Sequence, residues 1–233
     1  MTVETIAAVL FEPVGCLAEF RADELDSAAS ELFGAAAEAG ATGSEAYWRL
    51  CGLLDERGDA LGPAGEARLQ QLELRAVDHA ELYEDVRPSL EELRRLGVTA
   101  YLVSSLSRPA VTRFVERFSL TDLFAASIAR DDAGGAMDRP LRHAIASFSL
   151  DPSRTIYLVD TAQAIDMTKA LGLNAVMMFN DFDKSRILAE RGPAGGVASL
   201  AELADALRLI EQRAGMKSPS RPPLHPYELF DPS

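Results

Sequence analysis

The first apolar run of the chain, Thr5-Ile6-Ala7-Ala8-Val9-Leu10-Phe11, breaks abruptly at Glu12-Pro13-Val14-Gly15-Cys16-Leu17. An uninterrupted run of this length, without polar alternation, reads as a strand buried on both faces, which parallel sheets produce. The Pro and Gly that follow mark a tight turn at the strand's carboxyl end. Three later runs have the same character: Thr99–Val103 (TAYLV), Thr155–Val159 (TIYLV) and Ala175–Phe179 (AVMMF), with Ala125–Ala129 (AASIA) a weaker fifth. Helical stripes lie between them, at Ser89–Leu96, Arg108–Phe118, Asp138–Phe148 and Ala162–Leu171. Ser199 is placed to cap a last helix running to Arg213. Strand and helix in alternation predict an α/β fold, a parallel sheet flanked by helices on both faces.

One segment breaks this rhythm. From Arg21 to about Tyr83 no strand candidate occurs, and Ala, Glu and Leu dominate between breaks at 40–43 and 58–65. Three or four helices inserted after the first strand are too many for a crossover and predict a small all-helical cap. The expected division is a core of residues 1–17 and 84–215, a cap of 18–83 and an extended Pro-rich tail of 216–233. The tail's five prolines exclude a regular helix or central strand.

The whole chain has 233 residues, 48% hydrophobic, with a net charge of -13. Such a charge disfavours nucleic acid and anionic membranes, and no dense Lys/Arg run offsets it. The two cysteines, Cys16 and Cys51, form no metal-type spacing and no disulfide framework. With no basic leader before a long apolar run, the expected location is cytoplasmic. His79, His143 and His225 are too far apart to pair on a metal and read as surface or packing residues. Cys16 reads as a small buried residue, Tyr47 and Trp48 as cap core, and Asp131-Asp132 as part of a solvated loop.

Four landmarks in order resemble the haloacid dehalogenase (HAD) superfamily, over residues 5 to 213. The first is the strand and turn AAVLF-Glu12-Pro13-Val14-Gly15-Cys16-Leu17, similar to the family's Asp-x-Asp-Gly-Thr-Leu. The second is Ser104-Ser105 at the end of TAYLV. The third is Met137-Asp138-Arg139-Pro140, in the place of a Lys-Pro-x-Pro stretch. The fourth is TIYLV-Asp160-Thr161-Ala162-Gln163-Ala164, similar to Gly-Asp-x-x-x-Asp. The resemblance implies a HAD-like Rossmannoid core with its site at the carboxyl ends of the strands. It also implies roles. Glu12 stands where the nucleophilic Asp is found, Val14 at the acid/base Asp, and Ser104 with Ser105 at the phosphate or anion site. Met137 stands at the Lys, Asp160 at one metal-binding Asp and Ala164 at the other.

These substitutions strike separate parts of one reaction. Glu12 is a methylene longer than Asp, and a misplacement near 1 Å costs roughly a hundredfold. Val14 moves no proton, a service worth about 10²–10⁴. Met137 supplies no positive charge, for which Arg139, Arg142 and Lys169 are the candidate substitutes. The leading expectation is a pseudoenzyme acting as a binding or interaction module, with a protein partner engaged through the cap, the outer helices or the tail. No cofactor is expected. The alternative is a divergent hydrolase of small phosphorylated metabolites, or one resembling a dehalogenase. It would use Glu12 as the catalytic carboxylate, with Mg²⁺ on Glu12 and Asp160.

Overall fold

A computed structural model describes residues 5–179, 182–213 and 215. The expectations for the tail of 216–233, His225 included, lie outside the described residues.

Six strands form one parallel sheet in the order β5-β4-β1-β6-β7-β8. They are β1 (Ala8–Phe11), β4 (Thr99–Val103), β5 (Ala126–Ile128), β6 (Thr155–Val159), β7 (Asn174–Met178) and β8 (Gly195–Val197). All four residues of β1 are buried, because β4 and β6 pair with it on either edge and helices cover both faces. The register sets Phe11 beside Leu102 of β4 and Leu158 of β6. The residues just after these strands, Glu12, Ser104 and Asp160, therefore emerge at one edge of the sheet. This is the parallel α/β architecture that the apolar runs predict. β8 was not anticipated, because Gly195 and Gly196 give its sequence no strand character.

Between β1 and β4 the chain builds α1 (Ala22–Phe33), α2 (Gly43–Arg57) and α3 (Gly62–His79). The reading of Arg21 to about Tyr83 as free of strands is corrected at its far end, by a strand that pairs with one just before the segment. Ala18–Glu19 (β2) and Glu81–Leu82 (β3) pair antiparallel as a two-stranded ribbon under the insert. Strands of two residues are too short to show a period. The remaining helices are α4 (Val86–Arg95), α5 (Arg108–Arg117), α6 (Arg139–Ser147), α7 (Ala162–Ala170), α8 (Phe182–Ala189) and α9 (Leu203–Arg213). Ser199 caps a 3₁₀ turn, Leu200–Glu202, that leads into α9. Asp131 and Asp132 are exposed to solvent as expected, but not in a loop. They lie in a helical turn, Arg130–Ala133, where Asp132 pairs with the Arg108 side chain and Asp131 accepts from the Arg108 backbone. Among the described residues no helix is long and apolar enough to cross a membrane.

Two glycines set how closely the insert meets the core. Gly43, in the first turn of α2, lies so near the Phe20 carbonyl that a Cβ would overlap it. Gly15 has φ +77°, and a Cβ there would overlap both Ser44 Oγ and the Asp160 carboxylate. The start of α2 is fixed by a capping box. Thr42 Oγ1 accepts from the Glu45 N–H at 3.3 Å, and Glu45 Oε2 accepts from the Thr42 N–H at 2.7 Å.

Candidate active site

α2 carries Ser44 and Tyr47, spaced i and i+3, on the face turned toward the sheet edge. Each hydroxyl reaches one of the two carboxylates expected there. Ser44 Oγ donates to Asp160 Oδ2, in a short contact across the junction between insert and core. Tyr47 Oη donates to Glu12 Oε2 at 2.9 Å, and Ser104 Oγ donates to Glu12 Oε1 at 2.6 Å. The two hydroxyls lie 3.0 Å apart, which closes a ring of three side chains. The backbone N–H of Ser105 donates to Tyr47 Oη at 2.8 Å, and that of Leu106 to Ser104 Oγ at 3.1 Å. Glu12, Tyr47, Ser104 and Ser105 are all buried.

The ring favours a proton on Glu12. With Glu12 ionised, two hydroxyl protons serve three oxygen contacts, and one contact lacks a hydrogen. A proton on Glu12 supplies each contact with its own, and one of the two bonds at Glu12 then runs from the carboxyl to the hydroxyl. Burial pushes the Glu12 carboxyl up to about 8, against the hydrogen bonds of Ser104, Tyr47 and the Val14 backbone, with the Asp160 charge adding to the rise. Burial also lifts Asp160 to about 7, opposed by its bond from Ser44.

Sequence reasoning placed Glu12, Ser104, Ser105 and Asp160 at this sheet edge. It missed Tyr47 and Ser44. Tyr47 was read as cap core, and its ring is indeed buried against Trp48 at 5.5 Å. Its hydroxyl, however, belongs to the Glu12 centre. The available signal was the pair of hydroxyl residues one helical turn apart, in the segment following a turn whose acids had changed. Val14 is buried, and Met137 lies beside Gln163, with Nε2–Sδ at 3.9 Å. Tyr47 Oη occupies the space between Glu12 and the Ser105 N–H.

The candidate substitute cations are engaged elsewhere. Arg139 donates to the Gly134 carbonyl at 2.7 Å and faces Asp55 at 3.3 Å; Arg142 bonds Asp138 at 2.6 Å; Lys169 donates to the Arg191 carbonyl at 2.7 Å. Arg130 does approach, donating to the Ser105 carbonyl at 2.9 Å. Its charge is met by buried Glu73 at 2.6 Å. Cys16 is buried, with its thiol pushed well above the ordinary range by burial, and it bonds the Leu158 carbonyl at 3.5 Å. His79 lies 2.8 Å from Glu24 on the outside of the insert.

The residues present do not fit a Mg²⁺ ion. Mg²⁺ takes a near-octahedral shell of oxygens anchored by ionised carboxylates. Both oxygens of Glu12 are engaged by hydroxyls, Asp160 is held by Ser44, and the second acidic position is buried Ala164. Among the described residues no group of three or more His, Cys, Asp or Glu side chains is arranged to share an ion. Asp160 instead borders a cavity of about 620 Å³ between the insert and the core, which neither Glu12 nor Ser104 lines.

Comparison with known proteins agrees with this architecture. Solved structures of similar fold include a haloacid dehalogenase-like family hydrolase of Streptococcus pneumoniae, with TM-score 0.64 and 14% identity over 86% of this chain and 97% of that one. A HAD phosphatase of Thermococcus onnurineus matches with TM-score 0.58 and 19% identity, over 91% of this chain and 99% of that one. An L-2-haloacid dehalogenase of Xanthobacter autotrophicus, with chloropropionic acid covalently bound, matches with TM-score 0.59 and 17% identity, over 88% of this chain and 99% of that one. No functionally curated protein matches the chain by sequence. The haloacid dehalogenase-like hydrolase family matches over residues 40–178, more than half of the chain and inclusive of Ser104 and Asp160. The chain belongs to the haloacid dehalogenase-like hydrolase family.

Proposed function

We propose that this member of the family is a pseudoenzyme whose hydrolytic centre is closed by its own insert, and that it acts as a binding or interaction module. The observation that carries the reading is the position of Tyr47 Oη. It donates to Glu12 Oε2 at 2.9 Å and accepts from the Ser105 N–H at 2.8 Å, the backbone donor that an oxyanion at this edge would need. An incoming phosphate ester must displace the phenol, strip a buried ring of its hydrogen bonds and place its charge beside Glu12 and Asp160. Removing partners from buried polar groups costs about 1–3 kcal/mol each. A Glu12 that keeps its proton near neutral pH is also a poor nucleophile. A protein partner engaged through the insert or the outer helices is the corresponding mode of action.

Family membership and the hydrolases among its structural neighbours favour a second reading, a divergent phosphatase or dehalogenase. Tyr47 belongs to the insert and Glu12 to the core. A swing of the insert that withdrew the phenol would free Glu12, Ser104 and the Ser105 N–H for an anionic substrate. Turnover by the purified chain separates the two readings. Incubated with Mg²⁺ and panels of phosphate monoesters and 2-haloacids, the protein is expected to release no more phosphate or halide than its Glu12→Ala variant. Sustained release that Glu12→Ala abolishes would establish the hydrolase.

A further inference from the structure

The start of α5 gathers donors that the core leaves to side chains. The backbone N–H groups of Ser105, Leu106, Ser107 and Arg108 are accepted in turn by Tyr47 Oη at 2.8 Å, Ser104 Oγ at 3.1 Å, Glu73 Oε2 at 3.0 Å and the Asp131 carboxylate. N–H groups at a helix start lack an intrahelical acceptor and favour negative charge. Two of these acceptors, Tyr47 and Glu73, belong to the insert. Arg130, which follows β5, brings a guanidinium to the same place. Its side chain is 8% exposed, and it donates to Glu73 Oε1 at 2.6 Å and to the Ser105 carbonyl at 2.9 Å.

The core thus supplies the donors and the insert supplies the anion. Glu73 is 2% exposed, with one oxygen on Arg130 and the other on the Ser107 N–H. A small oxyanion with two free oxygens, phosphate included, can make the same pair of bonds. Ser105 links this pocket to the Glu12 centre, since its N–H meets Tyr47 and its carbonyl meets Arg130. α1 packs against both α2 and α3, so the phenol and the Glu73 carboxylate are carried by one packed unit. We propose that Glu73 is an autoinhibitory contact: Arg130 and the Ser107 N–H form an oxyanion pocket of the core, and the insert keeps it filled with a carboxylate of its own. A free oxyanion of the phosphate class gains the pocket only by displacing Glu73, whose tether gives it a high effective concentration there. The proposal deepens the closed-centre reading and rests on it.

Isothermal titration calorimetry of the full chain with inorganic phosphate, against chloride at matched ionic strength, tests this. The parent is expected to show no saturable binding in the millimolar range. Glu73→Ala removes the carboxylate, makes room beside Arg130 and leaves it the half-exposed Glu66, 3.8 Å away. This variant is expected to bind phosphate at least about tenfold more tightly than the parent. Adding Arg130→Met is expected to abolish the gain. The urea-unfolding midpoint, read with and without phosphate, covers the case in which Glu73→Ala folds only with an anion present. Phosphate binding by the parent equal to that of Glu73→Ala, no binding by either, or a gain that survives Arg130→Met would overturn the proposal. The titration reads binding and not turnover. Absence of a gain in Glu73→Ala removes this inference alone, whereas ester turnover by the parent that Glu12→Ala abolishes removes the closed-centre reading whatever the titration finds.

Discussion

Glu12 shows how one added methylene changes a residue's work. Its carboxyl reaches the Ser104 and Tyr47 hydroxyls and is left without solvent. Burial holds it near 8, above the ordinary glutamate value of 4.5. The folded protein therefore retains a proton that the unfolded chain has released between these values. Its contribution to stability is fully present below about pH 4.5 and is lost as pH rises through about 8. Asp160, lifted to about 7, acts in the same direction with less force, because the cavity leaves it partly open. Urea unfolding across pH 5–9 should find Glu12→Gln gaining on the parent as pH rises, by on the order of 3 kcal/mol at the alkaline end. A difference between the two proteins that stays flat across that range would show Glu12 to be an ordinary carboxylate. At this scale the sequence revealed Glu12, Ser104 and Asp160, because each follows a buried strand. Tyr47 stayed hidden, because its hydroxyl acts on a residue 35 positions away. An aromatic residue at a buried helical position carries no mark of such a contact.

At the scale of elements, the molecule depends on how the insert is fastened to the core. α2 is started by its capping box and brought close by Gly43 and Gly15, so Ser44 and Tyr47 arrive in register. α3 supplies a second fastening. Glu73 accepts from Arg130 at 2.6 Å and from the Ser107 N–H at 3.0 Å, and Arg130 also reaches the Ser105 carbonyl. Both side chains are buried, so removing Glu73 leaves Arg130 only the half-exposed Glu66 carboxylate, 3.8 Å away. Glu73→Ala is expected to cost about 3–5 kcal/mol in urea unfolding, while Glu73→Ala combined with Arg130→Met recovers much of it. A loss below about 1 kcal/mol for the single change would mean that water already reaches the pair. The strands of the sheet were legible because burial on both faces leaves apolar runs. The ribbon of β2 and β3 and the edge strand β8 were not, being two and three residues long and, in β8, mostly glycine. The buried latch of Glu73 and Arg130 was equally invisible, since nothing in sequence separates a buried ion pair from two solvated charges.

At the scale of the molecule, the family's architecture is kept and its centre is given over to internal contacts. The sheet edge still gathers a carboxylate, a hydroxyl and a backbone N–H within hydrogen-bond distance. What joins them is the phenol of Tyr47, and the remaining open space lies next door, among carboxyl and aromatic groups. On the closed-centre reading, a chain of net charge -13 is expected to draw in phosphorylated compounds weakly. The most direct trial is a crystal structure of the protein grown with Mg²⁺ and orthovanadate, an anion shaped like a phosphoryl group in transfer. The closed-centre account predicts Tyr47 Oη still seated between Glu12 and the Ser105 N–H, with no vanadate or metal at the sheet edge. Vanadate bonded to Glu12, with Mg²⁺ on Asp160 and the phenol swung away, would contradict it.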